Sequence, residues 1–224
     1  MANTVKKVNT VAIADIKNIN TITDSNLKKL NTLEFTGVTD AHVLIATDTS
    51  DGSDATMGFT SGIDSTYDVY EFHFINMHPE NDNAQFMFQV NDSGDEGGAY
   101  DESQIMSTAF NAYQGASKTA DGPKYEDDKD QANGTAYQSI LSRRTGDGNS
   151  ESVSGILRLY APSSTTYVKH FTSEGHGYHF EDYSLTMHVA GYINDTTAIT
   201  QINFKFDNGE IQGGAIKMYG IAKS

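Results

Sequence analysis

Apolar and polar residues alternate with a period of two along several stretches of the chain. The clearest stretch places Tyr70, Phe72 and Phe74 on one face of an extended strand and assigns Glu71 and Met77 to the other face. The aromatic face is the one expected to be buried. Alternating stretches occupy residues 67–77, 86–90, 153–160, 167–171, 184–193, 201–206 and 211–221.

The segments between these stretches are rich in residues that favour turns, and no long helical periodicity occurs after residue 35. Asp is commoner than Glu, and Ile and Val are commoner than Leu, which disfavours helices and favours strands. The pattern predicts an all-β domain with about eight to ten strands, folded as a two-sheet β-sandwich, jelly roll or related Greek key. Gly213-Gly214 predicts a bulge or a close backbone approach in the last strand.

Residues 91–150 interrupt the alternation. They contain Gly97-Gly98, Asp121-Gly122-Pro123 and an acidic run at 126–130, with only short apolar pieces between them. We interpret this segment as a long polar loop insertion on the surface of the β domain, where binding functions commonly lie. The β-sandwich body is therefore expected to span residues 35–224.

The first 34 residues contain an internal repeat. The sequence Val-Asn-Thr-Val at residues 8–11 recurs as Ile-Asn-Thr-Ile at 19–22 and as Leu-Asn-Thr-Leu at 30–33. Each 11-residue unit predicts a short extended piece followed by about one helical turn. Residues 1–34 therefore form an extended N-terminal arm with short helical turns in this interpretation, and their threonine content disfavours a coiled coil.

One such unit cannot bury its own apolar residues, so the repeats are expected to stack on each other or to lie in a groove of another protein. The alternative is an arm that packs on its own domain. The apolar positions of the repeat are the docking and assembly candidates: Val8, Val11, Ile16, Ile19, Ile22, Leu27, Leu30 and Leu33.

Charge is distributed unevenly between the arm and the body. The chain carries 15 Lys and Arg against 30 Asp and Glu, a net charge of −15. Residues 1–34 hold five lysines and three acidic residues, so they carry +2 and residues 35–224 carry −17. An acidic body argues against nucleic acid as a partner. The absence of Cys excludes disulfides and thiolate metal sites, and no apolar run is long enough to predict a membrane span.

Two groups of residues are weak candidates for metal binding. Asp48, Asp51 and Asp54 bring three carboxylates into a glycine-containing loop, a composition that suits calcium, although the spacing is not that of an EF-hand. His176 and His179 could share a metal in a loop, whereas in a strand they would face opposite sides. Solvated acidic loops and a polar histidine-containing loop are the simpler interpretations, so no cofactor or metal is predicted.

No motif in the sequence indicates catalysis. A nucleophile elbow, a phosphate-binding glycine loop, a dinucleotide fingerprint and a zinc-protease motif are all missing from the sequence. Thirty acidic residues make some pair of carboxylates inevitable, so a glycosidase pair cannot be argued from them. The sequence therefore predicts a non-enzyme.

Several of the strand sequences resemble a recurrent group of virion proteins of tailed bacteriophages, notably of marine and cyanobacterial phages. The resemblance rests on Tyr-Glu-Phe-His-Phe-Ile-Asn-Met-His-Pro at residues 70–79 and Phe-Met-Phe-Gln-Val-Asn at 86–91. It extends to Val-Ser-Gly-Ile-Leu-Arg-Leu-Tyr-Ala-Pro-Ser-Ser at 153–164, Ala-Gly-Tyr-Ile-Asn-Asp at 190–195 and Ile-Gln-Gly-Gly-Ala-Ile-Lys-Met-Tyr-Gly-Ile at 211–221.

This resemblance implies a structural protein of the virion, with a tail fibre or appendage as the first location and capsid decoration as the second. It implies other virion proteins as partners, and fibres suggest a homo-oligomer, for which a trimer is one option by analogy. A receptor-binding adhesin that recognises a host surface glycan is the alternative function, with residues 91–150 as the expected binding region.

Overall fold

The computed structural model describes residues 41–91, 100, 103–117, 120–141 and 144–222, together with the backbone of six two-residue strands before residue 35. The chain forms two compact units, Met1–Ala41 and His42–Ser224. The described residues contain no helix, and so they contain no helix long and apolar enough to cross a membrane. The helical turns expected in the arm fall on residues outside the described ones.

The first unit contains three short antiparallel pairs of strands that follow the sequence repeat. In each pair the closing residues are the two apolar residues on either side of Asn-Thr. The pairs are β1 (Lys7–Val8) with β2 (Val11–Ala12), β3 (Asn18–Ile19) with β4 (Ile22–Thr23), and β5 (Lys29–Leu30) with β6 (Leu33–Glu34). The 11-residue period of the sequence is thus also a period of strand pairing.

The second unit is a sandwich of two antiparallel sheets, as the alternation predicts. Its strands are β7 (His42–Thr49), β8 (Met57–Phe59), β9 (Val69–Pro79), β10 (Phe86–Asn91), β11 (Ile105–Gly115), β12 (Ala120–Tyr125), β13 (Ala132–Gly134), β14 (Gln138–Ser139), β15 (Val153–Tyr160), β16 (Lys169–His179), β17 (Tyr183–Ile193), β18 (Gln201–Phe206) and β19 (Ile211–Ile221).

The larger sheet has nine strands in the order β12-β11-β17-β16-β15-β9-β19-β7, with β13 also paired to β11. The smaller sheet has four strands in the order β14-β10-β18-β8. All strand pairs in both sheets are antiparallel. The all-β, two-sheet prediction is therefore confirmed.

Aromatic side chains from the two sheets form the centre of the core. Phe74 of the larger sheet packs edge to face on Phe86 and Phe204 of the smaller sheet, with ring centroids 5.2 and 5.0 Å apart. Phe72 packs on the ring of Phe204 at 5.7 Å, and Phe88 packs on that of Phe171 at 5.0 Å. These side chains are almost completely buried, so the aromatic faces predicted from the alternation do face each other.

Residues 91–150 contain more regular structure than the sequence suggests. They include an 11-residue strand, β11, inside the larger sheet, followed by the shorter strands β12, β13 and β14. The inward positions of β11 are partly polar or small, because Ser107, Ala109 and Asn111 are buried there. The apolar alternation is therefore weak although β11 is paired on both sides within the sheet, and the segment is not one long polar loop.

Local irregularities shift the alternation at one end of the sheet. Asn76 has a positive φ of 50°, and the register of β9 against β15 shifts beside it, so Met77 points into the core instead of lying on the polar face. The opposing strand, β19, shifts its register on both sides of Gly213, and Gly214 has a φ of 111°. The bulge predicted at Gly213-Gly214 is confirmed.

Candidate functional site

The structure places the docking candidates of the arm in pairs. Val8 pairs with Val11, Ile19 with Ile22, and Leu30 with Leu33, each as the closing residues of one strand pair. The other two candidates, Ile16 and Leu27, lie outside the described residues. The arm thus repeats one local arrangement three times at a spacing of 11 residues.

The acidic loop that was a candidate calcium site uses its carboxylates to hold its own backbone. Asp51 accepts hydrogen bonds from the backbone and hydroxyl of Ser53 at 3.0 and 2.9 Å. Asp54 accepts one from the backbone of Asp51 at 2.9 Å, and Asp48 accepts one from the backbone of Gly58 at 3.0 Å. Asp51 and Asp54 thus shape the loop, whereas Asp48, in β7, bonds the backbone of β8.

The two candidate histidines lie on opposite faces of one strand. His176 is exposed on β16, and its Nε2 lies 2.8 Å from the hydroxyl of Ser184. His179 is buried at the end of the same strand and stacks on Tyr183 with ring centroids 5.3 Å apart. The structure does not bring the two imidazoles together.

A cluster of three carboxylates was not predicted from the sequence. Asp82, Asp147 and Glu151 bring carboxylate oxygens within 4.8 Å of one another. Glu151 Oε2 also accepts a hydrogen bond from the backbone of Gly148 at 2.7 Å. These residues come from two loops that are far apart in the sequence, so their meeting could not be inferred without the fold.

The side of the larger sheet that faces away from the smaller sheet, which we call the outer face, carries a charged network across four strands. Glu71 Oε1 accepts a hydrogen bond from Arg158 Nε at 2.8 Å. Glu71 Oε2 lies 2.9 Å from His73 Nε2 and 3.1 Å from His42 Nε2. Arg158 also lies 3.4 Å from Glu174, so β7, β9, β15 and β16 are tied together on this face.

This network favours the ionised form of Glu71. Burial is the largest single influence and opposes ionisation, but the hydrogen bonds from His73, Arg158 and His42 and the charge of Arg158 outweigh it. The pKa of Glu71 therefore lies below its ordinary value. The hydrogen bond from Arg158 to Glu71 is in turn the largest cause that raises the pKa of Arg158. The network thus holds Arg158 between two carboxylates, those of Glu71 and Glu174.

A groove of about 210 Å³ lies beside this network on the outer face. Its floor is a row of small side chains on three neighbouring strands, because Thr172 of β16 is opposite Ala190 of β17, which is opposite Thr108 of β11. The next row along the same strands brings larger side chains around the floor. The lining includes Thr108, Phe110, Arg158, Thr172, Glu174, His188 and Ala190.

The walls of the groove combine ring faces with polar groups. Phe110 is opposite His188, which is opposite Glu174, and the Phe110 ring is 44% exposed. Phe110 is held in place by Tyr125, whose ring packs on it edge to face at 5.3 Å. Arg158 completes the groove next to Glu174. Strand periodicity alone assigns these residues to the outer face, but only the register across three strands brings them together.

Comparisons of the chain with protein-family models, with curated proteins and with solved structures gave no match. The features of the molecule that bear on function are therefore the repeated arm, the β-sandwich and the outer face of its larger sheet.

Proposed function

We propose that this chain is a bacteriophage virion structural protein, a component of a tail fibre or appendage that is attached through its N-terminal arm. The observation that carries the proposal is the arm, in which one 11-residue sequence unit and one short strand pair recur three times. The resemblance of the strand sequences to virion proteins of tailed phages supports the same role. The proposal assigns the chain no catalytic step.

Each repeated unit is small. A pair of two-residue strands is too small to be stable in water by itself, because it buries almost no apolar surface. Three such units at a fixed spacing offer the same apolar pair three times to a partner surface. Linked weak contacts of this kind add up to strong attachment, because each later contact forms at a high effective concentration.

The charge difference supports attachment through the arm rather than through the body. The arm carries +2 and the body −17, so the arm can approach an acidic virion surface that would repel the body. Capsid decoration is the second location consistent with an attached, acidic β-sandwich. In either location the neighbouring virion proteins are the partners.

The test is incorporation of full-length chains into phage particles. One variant replaces Val11, Ile22 and Leu33 by Asp, which places a charge in each strand pair of the arm. The matched control introduces the same three charges at exposed positions of the body, as Ala55→Asp, Thr60→Asp and Ser61→Asp. The copy number per purified particle is measured by quantitative mass spectrometry.

We expect the wild-type chain and the control to be incorporated equally, and the arm variant to be reduced at least about tenfold, since one apolar-to-charged change at a contact costs about 1–3 kcal/mol. Normal copy number of the arm variant would show that the arm is not the attachment segment. If the wild-type chain itself is missing from purified particles, the virion role is wrong.

A further inference from the structure

The groove on the outer face has the properties of a ligand site, and its strands exclude one common kind of ligand. The strands that form its floor, β16, β17 and β11, each have a hydrogen-bonded strand on both sides. Their backbone groups are therefore already paired within the sheet. A peptide cannot add to them as a further strand, so recognition at the groove must come from side chains.

The charges in and around the groove disfavour an anionic ligand. Arg158 and Glu174 are the charged side chains of its lining, and they lie 3.4 Å apart as an ion pair. Arg158 is also paired with Glu71, so its positive charge is not free for an anion. The remainder of the body is strongly acidic, with a net charge of −17 for residues 35–224, and repels a polyanion.

The mixture of groups in the groove matches a sugar ring. The exposed face of Phe110 and the methyl group of Ala190 offer apolar contact to the C–H face of such a ring. Thr108 Oγ1 donates to the carbonyl of Ala190 at 3.4 Å and Thr172 Oγ1 lies 3.2 Å from the hydroxyl of Tyr160, so each keeps an acceptor site that, with the ion pair, can bond the hydroxyls at the ring's edge. At about 210 Å³ the groove is smaller than pockets that take drug-sized ligands, which limits its occupant to about one ring.

On the side of the floor away from Phe110, a further row of side chains extends the surface beyond the groove. His170, Tyr192 and Met106 lie opposite one another on β16, β17 and β11, one row along from the small residues of the floor. The imidazole of His170 packs edge to face on Tyr192 at 5.9 Å. A chain of sugar rings that leaves the groove on this side would therefore meet a second aromatic surface.

From these observations we propose that the groove binds one neutral sugar ring of an uncharged glycan. This inference goes beyond the virion role and does not depend on it, since the site lies wholly in the body. The groups that contact the ring are Phe110, Ala190, Thr108 and Thr172, and the pair of Arg158 with Glu174 bonds its hydroxyls.

The test uses the full-length chain and the methyl glycosides of glucose, galactose, mannose and N-acetylglucosamine, with their neutral oligosaccharides, in saturation-transfer NMR. Two variants change the groove: Ala190→Phe fills its floor, and Phe110→Ala removes its exposed ring. The controls are Thr186→Phe, which adds the same ring to the outer face outside the lining, and Tyr167→Ala, which removes a ring that is 73% exposed.

We expect binding of at least one neutral glycoside, a loss of about fivefold or more in affinity in each groove variant, and unchanged binding in both controls. Melting curves of all four variants check that they are folded, and Phe110→Ala keeps the test decisive if the larger side chain disturbs the sheet. The proposal is overturned if no neutral glycoside binds, if the groove variants bind like the wild type, or if an anionic sugar such as sialic acid is preferred.

Discussion

Glu71 holds a negative charge on the outer face of a sheet, yet its side chain is only 9% exposed. Arg158, His73 and His42 surround its two oxygens, and they come from three different strands. Removal of one partner from such a group leaves the others without compensation, which costs more than the loss of an exposed ion pair. Replacement of Glu71 is therefore expected to affect stability more than replacement of an exposed charged residue of the same face.

We predict that Glu71→Gln lowers the free energy of unfolding by about 1–3 kcal/mol at neutral pH, because Gln cannot satisfy the guanidinium of Arg158 and both imidazoles as a carboxylate does. Urea denaturation followed by circular dichroism measures the change. The matched control is Glu174→Gln, which removes a more exposed carboxylate from the same arginine and changes the value by no more than about 0.5 kcal/mol. Equal effects of the two variants would contradict a special role for Glu71.

The wild-type chain and Glu71→Gln can also be compared as a function of pH. The pKa of Glu71 is lower in the folded chain than its ordinary value, so ionised Glu71 stabilises the folded state above the unfolded-state pKa. That contribution is lost as the pH falls through the folded-state pKa. We expect the gap in unfolding free energy between wild type and Glu71→Gln to narrow as the pH is lowered from about 5 to about 3, the range in which the carboxyl group gains its proton. A gap that widens on acidification would contradict the assignment.

At the scale of the element, the bulge between β9 and β19 depends on Gly214. Its φ is 111°, and a Cβ at this position would lie 2.7 Å from the carbonyl oxygen of Asn76 and 2.8 Å from Cα of Met77. Both obstacles are backbone atoms, which cannot move aside as the end of a side chain can. The bulge turns Met77 into the core, so its geometry affects packing as well as pairing.

We predict that Gly214→Ala destabilises the chain by about 2 kcal/mol or more, through backbone strain and the contacts that an added Cβ would make. The matched control is Gly122→Ala in β12, where an added Cβ meets no atom within 4 Å, and we expect its effect to stay within about 0.5 kcal/mol. Thermal unfolding of both variants measures the difference. Similar melting temperatures would contradict the account of the bulge.

The alternation of residues predicted the strands whose inward side chains are consistently apolar. Tyr70, Phe72 and Phe74 made β9 evident, and a comparable pattern made β15 and β17 evident. It missed β11, whose buried positions include Ser107 and Asn111, because tertiary contacts rather than an apolar pattern hold that strand in the sheet.

The groove could not be predicted from the sequence, because it is a property of register. Periodicity assigns Thr108, Thr172 and Ala190 to outward positions of their strands, but nothing local says that the three strands are neighbours or that these residues are opposite one another. For the alternative function, a glycan-binding adhesin, the sequence predicts that residues 91–150 form the binding region. Only Thr108 and Phe110 of the groove lining come from that segment, and the rest come from later strands.

At the scale of the whole molecule, the second compact unit (His42–Ser224), which is the body without residues 35–41, contains its own core. The buried hydrophobic residues described by the structure run from Met57 to Met218, within the unit that begins at His42. Both sheets are also made entirely by strands of this unit. The body should therefore fold without the arm, as a separate domain does.

We predict that a chain of residues 42–224 unfolds in one cooperative transition with a melting temperature within about 2 °C of that of the full chain. Differential scanning calorimetry of both proteins measures this. As a control, Phe204→Ala in the shorter chain should lose about 3–5 kcal/mol, because it empties the contact between the two sheets. A shorter chain without a cooperative transition would contradict the division into an arm and an independent body.

We propose that this protein sits on a phage particle and is held there by its arm. The most direct measurement is a difference map by electron cryomicroscopy between particles assembled with the wild-type chain and particles assembled with the Asp variant of Val11, Ile22 and Leu33. The account predicts density for the β-sandwich on the tail in the first map and its loss in the second. Identical maps, or a wild-type map with no density for the body, would contradict it.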